Sequence, residues 1–591
     1  MLIDLDRQPN FAALLGLAWL LVALVLLLVH WPQTAETLLD TDDAMRLVEM
    51  RAWLNGPGLL SGWYDLHQSR LQPPDGVDMH WSRLINAGLA GLFAFFRLFA
   101  DQADAERLLR AWWPLLWLIP TMAGMVLIAW RIAGREAAMV ALLFSMAGVP
   151  AYQQFTPGRI DHHNVQIALT LLAVAATAWS DRKWWCGYAA GALSGVLLAI
   201  GIECLPYLAA CGLALALRYV MDRDAGVALA RYGLALALFA ALAFGVSVGP
   251  QHWTRKLCDA IAINTAAAAV CGGLLLALAG RLRHRDRITR IAAVLGSAAG
   301  TLAVLLLIEP RCLRGPMAMV DPAIWPIWLG DVREMQPLLS VFRKNPLTAS
   351  AIAAFPVAAL VAVAILLRQE SLRRDFGFLT AVLVFFAAAA TTAVAIRGFS
   401  YAIWLGMPVV AMLALRLIVA FQIKRLVPRL AIALVLTPMA LSAAAISIGT
   451  ATGLSDRDNF SRPDMRACFA TASYAPLRDL EPGLIAADVS FGPYLLALTP
   501  HSALAAPYHR LSSGIVTAHR LLAAPPAEAR DIALDAKVNY VAVCGPRPPD
   551  GLLEPARSQS LWARLQAETA PDWLQPLEAG PAFAVYRVVR P

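Results

Sequence analysis

The sequence predicts an all-α polytopic membrane domain of about thirteen transmembrane helices, followed by a C-terminal extracytoplasmic α/β domain. Three observations carry this. Of 591 residues, 59% are apolar and only 15% charged, against about a quarter charged in soluble domains. Apolar runs recur from Phe11 to Ile448, each long enough to cross a hydrocarbon core of about 30 Å. Beyond them the composition changes to a Pro- and Ala-rich tail with charges of both signs and no spanning run.

The first run, Phe11 to Val29, follows the charged flank "MLIDLDRQPN" and has no small-residue cleavage site at its end. It reads as a retained span and not a signal peptide. The spans then fall at about 11–30, 111–131, 136–151, 164–180, 185–203, 205–220, 226–248, 259–280, 291–308, 347–368, 376–396, 401–421 and 429–449. Basic clusters occupy alternate loops: Arg131 and Arg135, Arg182 and Lys183, Arg218 and Arg223, "RLRHRDRITR" from Arg281 to Arg290, Arg368 with Arg373 and Arg374, and Lys424 with Arg425 and Arg429. That is the positive-inside pattern. The net charge of +8 therefore reports topology, and nucleic acid is not an expected partner. No glycine-rich nucleotide loop is present. The N-terminus is expected in the cytoplasm and the tail outside. The Ala-, Leu- and Arg-rich chain suits a bacterial inner (plasma) membrane, with the tail in the periplasm. "INAGLAGLFAFFRLFA" (Ile85 to Ala100) is too short for a comfortable span and is expected on the outer face, interfacial or re-entrant.

Four pieces then lie outside: a first loop over 31–110, a turn at Gly158, a loop from Glu309 to Asn345, and the tail. The domain division is 1–450 and 451–591. In the tail, "GLIAADVS", "VNYVAVCG" and "AFAVYRVV" read as strands, with helical "AEARDIALDAK" and "SLWARLQAET" between them. Strands alternating with helices predict a small α/β domain, large enough for a core of its own. Cys186, Cys204, Cys211, Cys258, Cys271 and Cys312 lie in or beside spans, where a small apolar side chain is the simplest role. Cys468 and Cys544 stand alone in the tail, where an oxidising compartment makes them candidates for a disulfide.

The chemistry concentrates on the outer face. Asp40, Asp42 and Asp43 follow the first span in "LLDTDDAMRLVEMR". Carboxylates there are costly unless solvated or paired. "PGRIDHHNVQ" places Arg159, Asp161, His162 and His163 in a turn on the same side. Carboxylates and an imidazole from separate loops suit Mg²⁺ or Mn²⁺, the imidazole favouring Mn²⁺. Adjacent histidines do not both reach one ion from a regular helix, so one is a ligand and the other a neighbour of the ion or a contact to the donor. Glu334 lies in "IWLGDVREMQPLLSVF" and Arg397 in "AIRGFSY", a lone cation suited to bidentate contact with a lipid phosphate.

In order, these pieces resemble the catalytic subunit of oligosaccharyltransferase, including its single-subunit bacterial and archaeal forms. "DTDDAMRLVEMRAWLNGPGLLSGWYDL" looks like the family's first Asp motif, and "LQPPDGVDMHWSRL" like its later Pro-x-Gly stretch. "GRIDHHN" matches the Asp-x-His form of the second acidic motif, and "DVREMQP" reproduces Val-x-Glu-x-Gln-Pro. The resemblance implies a divalent metal (Mn²⁺ or Mg²⁺) held by Asp42 or Asp43 with Asp161 and His163. It implies Glu334 on the acceptor side, and Arg397, with His162, on the donor's phosphates. Asp42, Asp43 and Glu334 are the expected catalytic carboxylates, and Asp40 is the less favoured member of its triplet. The family's Trp-Trp-Asp-Tyr-Gly motif does not occur. Its nearest counterpart is "AADVSFGPYLL", where Phe491 and Gly492 stand for Tyr-Gly and Ser490 for the Asp. The resemblance implies a membrane domain of the GT-C type and, as the expected function, metal-dependent, inverting transfer of a sugar or oligosaccharide from a polyprenyl (pyro)phosphate donor to an acceptor, protein or glycolipid, on the periplasmic face. Two alternatives stand beside it. One is the same fold passing a polyprenyl-phosphate monosaccharide to lipopolysaccharide, lipid or glycan. The other is a transporter or flippase, against which the nearly uncharged middles of the spans argue.

Overall fold

The computed structural model describes residues 10–282, 286–456, 463–546, 556–578 and 580–590. Most of the N-terminal flank and the middle of the basic 281–290 stretch lie outside the described residues.

Among the described residues, nine helices are long and apolar enough to cross a membrane, or ten if the bent pair Leu426–Val435 and Pro438–Ala451 is one span. Two expected spans, 111–131 and 136–151, share one 45-residue helix, Gln102–Met146, broken at Ala133 and Gly134. Gly134 has φ +80° there, a conformation that glycine alone adopts without a Cβ penalty. The expected spans 164–180 and 185–203 are the shorter apolar helices His163–Trp179 and Cys186–Ile200. At the bent pair, Pro438 opens the second helix behind the Thr437 cap, and the two axes differ by 61°. The 83–96 stretch is a 14-residue helix, Arg83–Phe96, capped by Ser82.

Small residues let the helices close up. A Cβ on Gly195 would come within 2.7 Å of the Ala240 backbone nitrogen, and one on Gly273 within 2.6 Å of the Gly233 carbonyl. Such approaches drive helix association in lipid, where apolar burial alone does not. The centre of the bundle is filled by large side chains with almost no exposure, among them Trp404, Phe144, Phe355 and Phe385.

The first loop forms a helix, Thr41–Leu54, and a small hairpin of β1 (His67–Gln68) and β2 (Val77–Asp78). The tail forms a five-stranded sheet from β3 (Leu484–Ala486), β4 (Ser502–Ala503), β5 (Tyr540–Cys544), β6 (Leu574–Leu577) and β7 (Phe583–Val588). Its order is β4-β3-β5-β7-β6, with β4, β3 and β5 parallel and β7 and β6 antiparallel. The three expected strands form its centre, and the two not expected from the sequence, β4 and β6, its edges.

The tail shares its core with the rest of the chain. One sheet face, with Ile485, Tyr540 and Phe583, packs into a cluster containing Met45, Met50, Leu71, Trp81 and Leu89. The other face, with Leu484, Val541 and Tyr586, covers Ile324 and Leu329. Backbone bonds from Gln72 N to Ala503 O (2.9 Å) and from Ala503 N to Arg70 O (3.0 Å) extend the β4 edge into the first loop. The sheet therefore braces two of the loops that carry candidate residues.

Cys468 and Cys544 are bonded, as expected. Cys258 and Cys312 are also bonded, which corrects their reading as apolar packing residues. They sit just outside their helices, where the segment before Ile263 meets the one after Ile308, and each thiol finds the other instead of lipid.

Candidate active site at the junction of the loops

Asp40 caps the helix Thr41–Leu54, accepting from Asp42 N at 3.4 Å. This sends the next two carboxylates in different directions around the first turn. Asp43 is fully buried. Its Oδ1 accepts from the backbone N–H groups of Ile160 (2.7 Å) and Asp161 (3.0 Å), and its Oδ2 accepts from Arg159 at 3.0 Å. Arg159 also donates to Asp40 Oδ2 at 2.7 Å. Both oxygens of Asp43 are thus spent on shaping the 159–161 turn. Burial pushes its carboxyl up to about 7, against the pull of Arg159.

The turn delivers Asp161, His162 and His163, whose potential ligand atoms all lie within 4.8 Å of one another. Asp161 Oδ1 is 2.6 Å from His162 Nδ1, and its Oδ2 is 3.4 Å from His163 Nε2. Asp161 Oδ2 is buried and has no hydrogen-bond partner. Burial would raise the Asp161 carboxyl, but His162 and His163 hold it well below the ordinary range. The converse holds for His162. Burial disfavours its cation, yet Asp161 and Glu203 push its imidazole up to about 10. Asp42 is the carboxylate of the triplet left free. Burial first, then the charges of Asp161, Asp40 and Glu334, raise it well above the ordinary range.

Behind Asp161 stands Arg46, wholly buried, its Nε 3.6 Å from Asp161 Oδ1. It lies over the Trp81 ring at 4.2 Å and donates to Asn86 Oδ1 at 3.2 Å. On the other side the polar chain continues through a residue that sequence reasoning passed over, Glu203. Its Oε1 is 3.7 Å from His162 Nε2 and 3.1 Å from Arg397 Nη2, and its Oε2 accepts from Gln166 at 2.8 Å. A glutamate inside the apolar stretch "AIGIECLPYL" was itself the missed signal, since ionisable residues in such runs are costly and seldom idle. Arg397 Nη1 lies 3.6 Å from Glu334 Oε1. The backbone bond from Ile396 N to Gln336 O, 3.0 Å, ties the Glu334 loop to the arginine.

Asp161, His162, His163, Arg397 and Glu334, with the missed Glu203, thus form one connected constellation, and Asp42 feels the charges of Asp161, Glu334 and His162. His162 reaches Asp161 and Glu203, with only Glu203 between it and Arg397. A cavity of about 540 Å³ opens beside His162 and Glu203, lined also by His80, Trp81, Asp259 and Arg510. The arrangement offers Asp161 and His163 to a cation, with His162 bonded to Asp161 and the Asp42 carboxyl feeling their charges, next to an arginine held between two carboxylates.

No family model matches the sequence, and no curated protein matches it. Solved structures do. The archaeal oligosaccharyltransferase AglB from Archaeoglobus fulgidus, in complex with an inhibitory peptide and a dolichol-phosphate, aligns at TM-score 0.64 and 14% identity, covering 90% of this chain and 69% of its own. Its apo form aligns at 0.63 and 15%, over 91% and 70%. A complex of that enzyme with Zn and sulfate aligns at 0.57 and 16%, over 90% and 68%. At this low identity the likeness is one of fold: this chain has the fold of the archaeal oligosaccharyltransferase.

Proposed function

We propose that the protein is a membrane glycosyltransferase that moves a sugar from a polyprenyl phosphate or pyrophosphate donor to an acceptor at the extracytoplasmic face. The observation that carries this is the line Asp161–His162–Glu203–Arg397–Glu334. It sets a cation-seeking carboxylate and a phosphate-seeking arginine on either side of one glutamate. The Archaeoglobus enzyme, complexed with a dolichol-phosphate in one structure and with Zn and sulfate in another, supports reading these as metal and phosphate positions.

The residues fit a divalent metal. Asp161 Oδ2 is buried without a partner, and Asp42 has its carboxyl forced up by burial and by neighbouring carboxylates. Asp42, Asp161 and His163 would hold Mn²⁺ or Mg²⁺, which when bound would supply Lewis-acid neutralisation of the leaving phosphate. The chain's own groups do the rest. Arg397 binds the donor phosphate with the guanidinium face that now meets Glu334, and its fixed charge opposes the charge that builds as the bond to the anomeric carbon breaks. Glu203 keeps Arg397 oriented through the exchange. Glu334 or Asp42 orients the acceptor and takes its proton. His162 holds Asp161, and Asp43 and Arg159 hold the turn.

A glycan or lipid acceptor is favoured over a protein asparagine. At the counterpart of the missing aromatic motif, Phe491 is buried against Phe469 and Phe583, and Asp488 is turned onto the Ser490 backbone N–H at 2.9 Å. The buried Phe491 ring is not offered to a peptide. Mass spectrometry of lipid-linked sugars tests the function: Asp161→Ala is expected to abolish transfer and let the donor accumulate while the protein still inserts. Retained turnover would refute it. Comparing secreted glycoproteins with surface glycolipids in a deletion strain identifies the acceptor.

A further inference from the structure

A second cluster lies across the same cavity. His80 from the first loop, Asp259 from the segment before Ile263, and His509 from the tail bring one ligand atom each within 4.8 Å of the others. His509 Nε2 is 2.7 Å from Asp259 Oδ2, and the His80 and His509 rings are 4.6 Å apart, centroid to centroid. His80 Nδ1 is buried with no hydrogen-bond partner. Arg510 grips Asp259 with two bonds, Nε to Oδ2 at 2.8 Å and Nη2 to Oδ1 at 3.0 Å. The neighbouring Cys258–Cys312 disulfide anchors the strand of chain that presents Asp259.

A salt bridge that merely fastens the tail to the loops needs Asp259 and Arg510 alone. It gives no reason for two imidazoles in contact, one with an orphaned ring nitrogen. Two lone pairs and a carboxylate converging from three separate segments are the donors of a borderline transition metal, and His₂-carboxylate with an open fourth position is a recurrent Zn²⁺ arrangement. A carboxylate gripped from behind by a guanidinium is the kind of outer support that fixes a metal ligand. We propose that His80, Asp259 and His509 form a zinc site, separate from the Asp161 constellation, whose exchangeable position opens to the cavity of about 540 Å³ that His80, Asp259, His162 and Glu203 all line. Zn²⁺ would displace the proton between His509 and Asp259, and would lock the tail against both loops. The site does not depend on the proposed glycosyl transfer.

The test is zinc stoichiometry on the full-length protein in detergent, stripped with chelator and dialysed against ZnCl₂. The double variant His80→Asn/His509→Gln, in which the glutamine amide takes the place of the His509 Nε2 that meets Asp259, is expected to bind one zinc fewer per chain than the parent. Asp161→Asn leaves this site intact. Loaded with Co²⁺ in place of zinc, it is expected to show the visible absorption of a low-coordinate cobalt–imidazole centre. Equal zinc in the double variant and the parent overturns the proposal. So does the absence of a cobalt band in Asp161→Asn, a result that decides the matter even where the double variant does not fold. Neither outcome bears on whether Asp161→Asn retains transfer, which is the separate measure of the catalytic reading.

Discussion

Asp43 accepts the backbone N–H of Asp161 at 3.0 Å, on the same oxygen that takes the N–H of Ile160 at 2.7 Å. An acidic residue of the first motif thus sets the backbone of the second. Charge-assisted bonds of this kind contribute about 1.5–3 kcal/mol each. Removing the acceptor also strands two buried N–H groups and takes from Arg159 one of its two carboxylate partners.

Asp43→Ala is therefore expected to cost about 3–5 kcal/mol of stability, the range for breaking a buried pair, and to abolish turnover. Asp43→Asn keeps one carbonyl oxygen for the turn and loses only the charge facing Arg159, so it should fall between. Thermal melting in detergent and initial rates check the order. A fully active Asp43→Ala would show that the turn holds itself.

Glu203 separates His162 from Arg397. Glu203→Gln preserves shape and the bond from Gln166 but removes the charge that Arg397 faces at 3.1 Å. Donor binding should weaken about tenfold or more, because the guanidinium loses its fixed partner and swings toward Glu334. The acceptor KM should change little. Separate donor and acceptor titrations decide it. An equal loss on both sides would mean that Glu203 serves the whole fold.

How much of this was legible beforehand follows from where the information lies. Asp161, His163, Glu334 and Arg397 stand out because polar groups in short turns between apolar runs have few other reasons to be there. The roles of Asp42 and Asp43 could not be separated from adjacent positions alone. Their difference is one step of helix phase, about 100°, set by the Asp40 cap. Glu203 was hidden because it stands inside an apolar run, in the short 3-10 turn Ile202–Cys204 that leads straight into the helix Leu205–Met221. In the tail, β3, β5 and β7 announced themselves by β-branched runs, while β4 has two residues and β6 carries Pro576 at a sheet edge, the place that tolerates proline. Nothing local in the sequence says that the first loop would pair with β4. That pairing joins positions more than four hundred residues apart.

The tail's buried phenols set an alkaline limit. Burial raises the Tyr474 and Tyr494 hydroxyls well above their ordinary value, and Tyr474 spends its proton on the Cys468 carbonyl at 3.0 Å. With the folded value above the unfolded one, the neutral form favours the fold. Stability from these groups is fully present below the unfolded value of about 10 and declines as pH rises beyond it, by about 1.4 kcal/mol per pH unit per group. Melting temperature should be flat with respect to these tyrosines to about pH 9.5 and then fall. Tyr474→Phe should make the fall shallower. An unchanged slope in that variant would exclude Tyr474 as a source.

The two disulfides give the last prediction, because each holds a different support of the site. Cys468–Cys544 closes a separation of 76 residues and pins the start of the tail to β5. Cys258–Cys312 closes 54 residues and holds the segment that carries Asp259. Loops of this length lose roughly 3–5 kcal/mol of unfolded-state entropy when bridged, and a double serine variant at either pair should lower stability by about 2–4 kcal/mol. The functional consequences should differ. Without Cys468–Cys544 the sheet still packs on Leu71 and Trp81 through the core it shares with the first loop, so turnover at low temperature should survive. Without Cys258–Cys312 the grip of Asp259 on Arg510 and His509 should loosen, and with it the wall of the cavity beside Glu203. Alkylation with and without reductant, read as a mass shift, establishes that both bonds form. Rates measured well below each variant's melting temperature then separate loss of stability from loss of shape. Equal activity in the two variants would show that the cavity wall does not need the second bond.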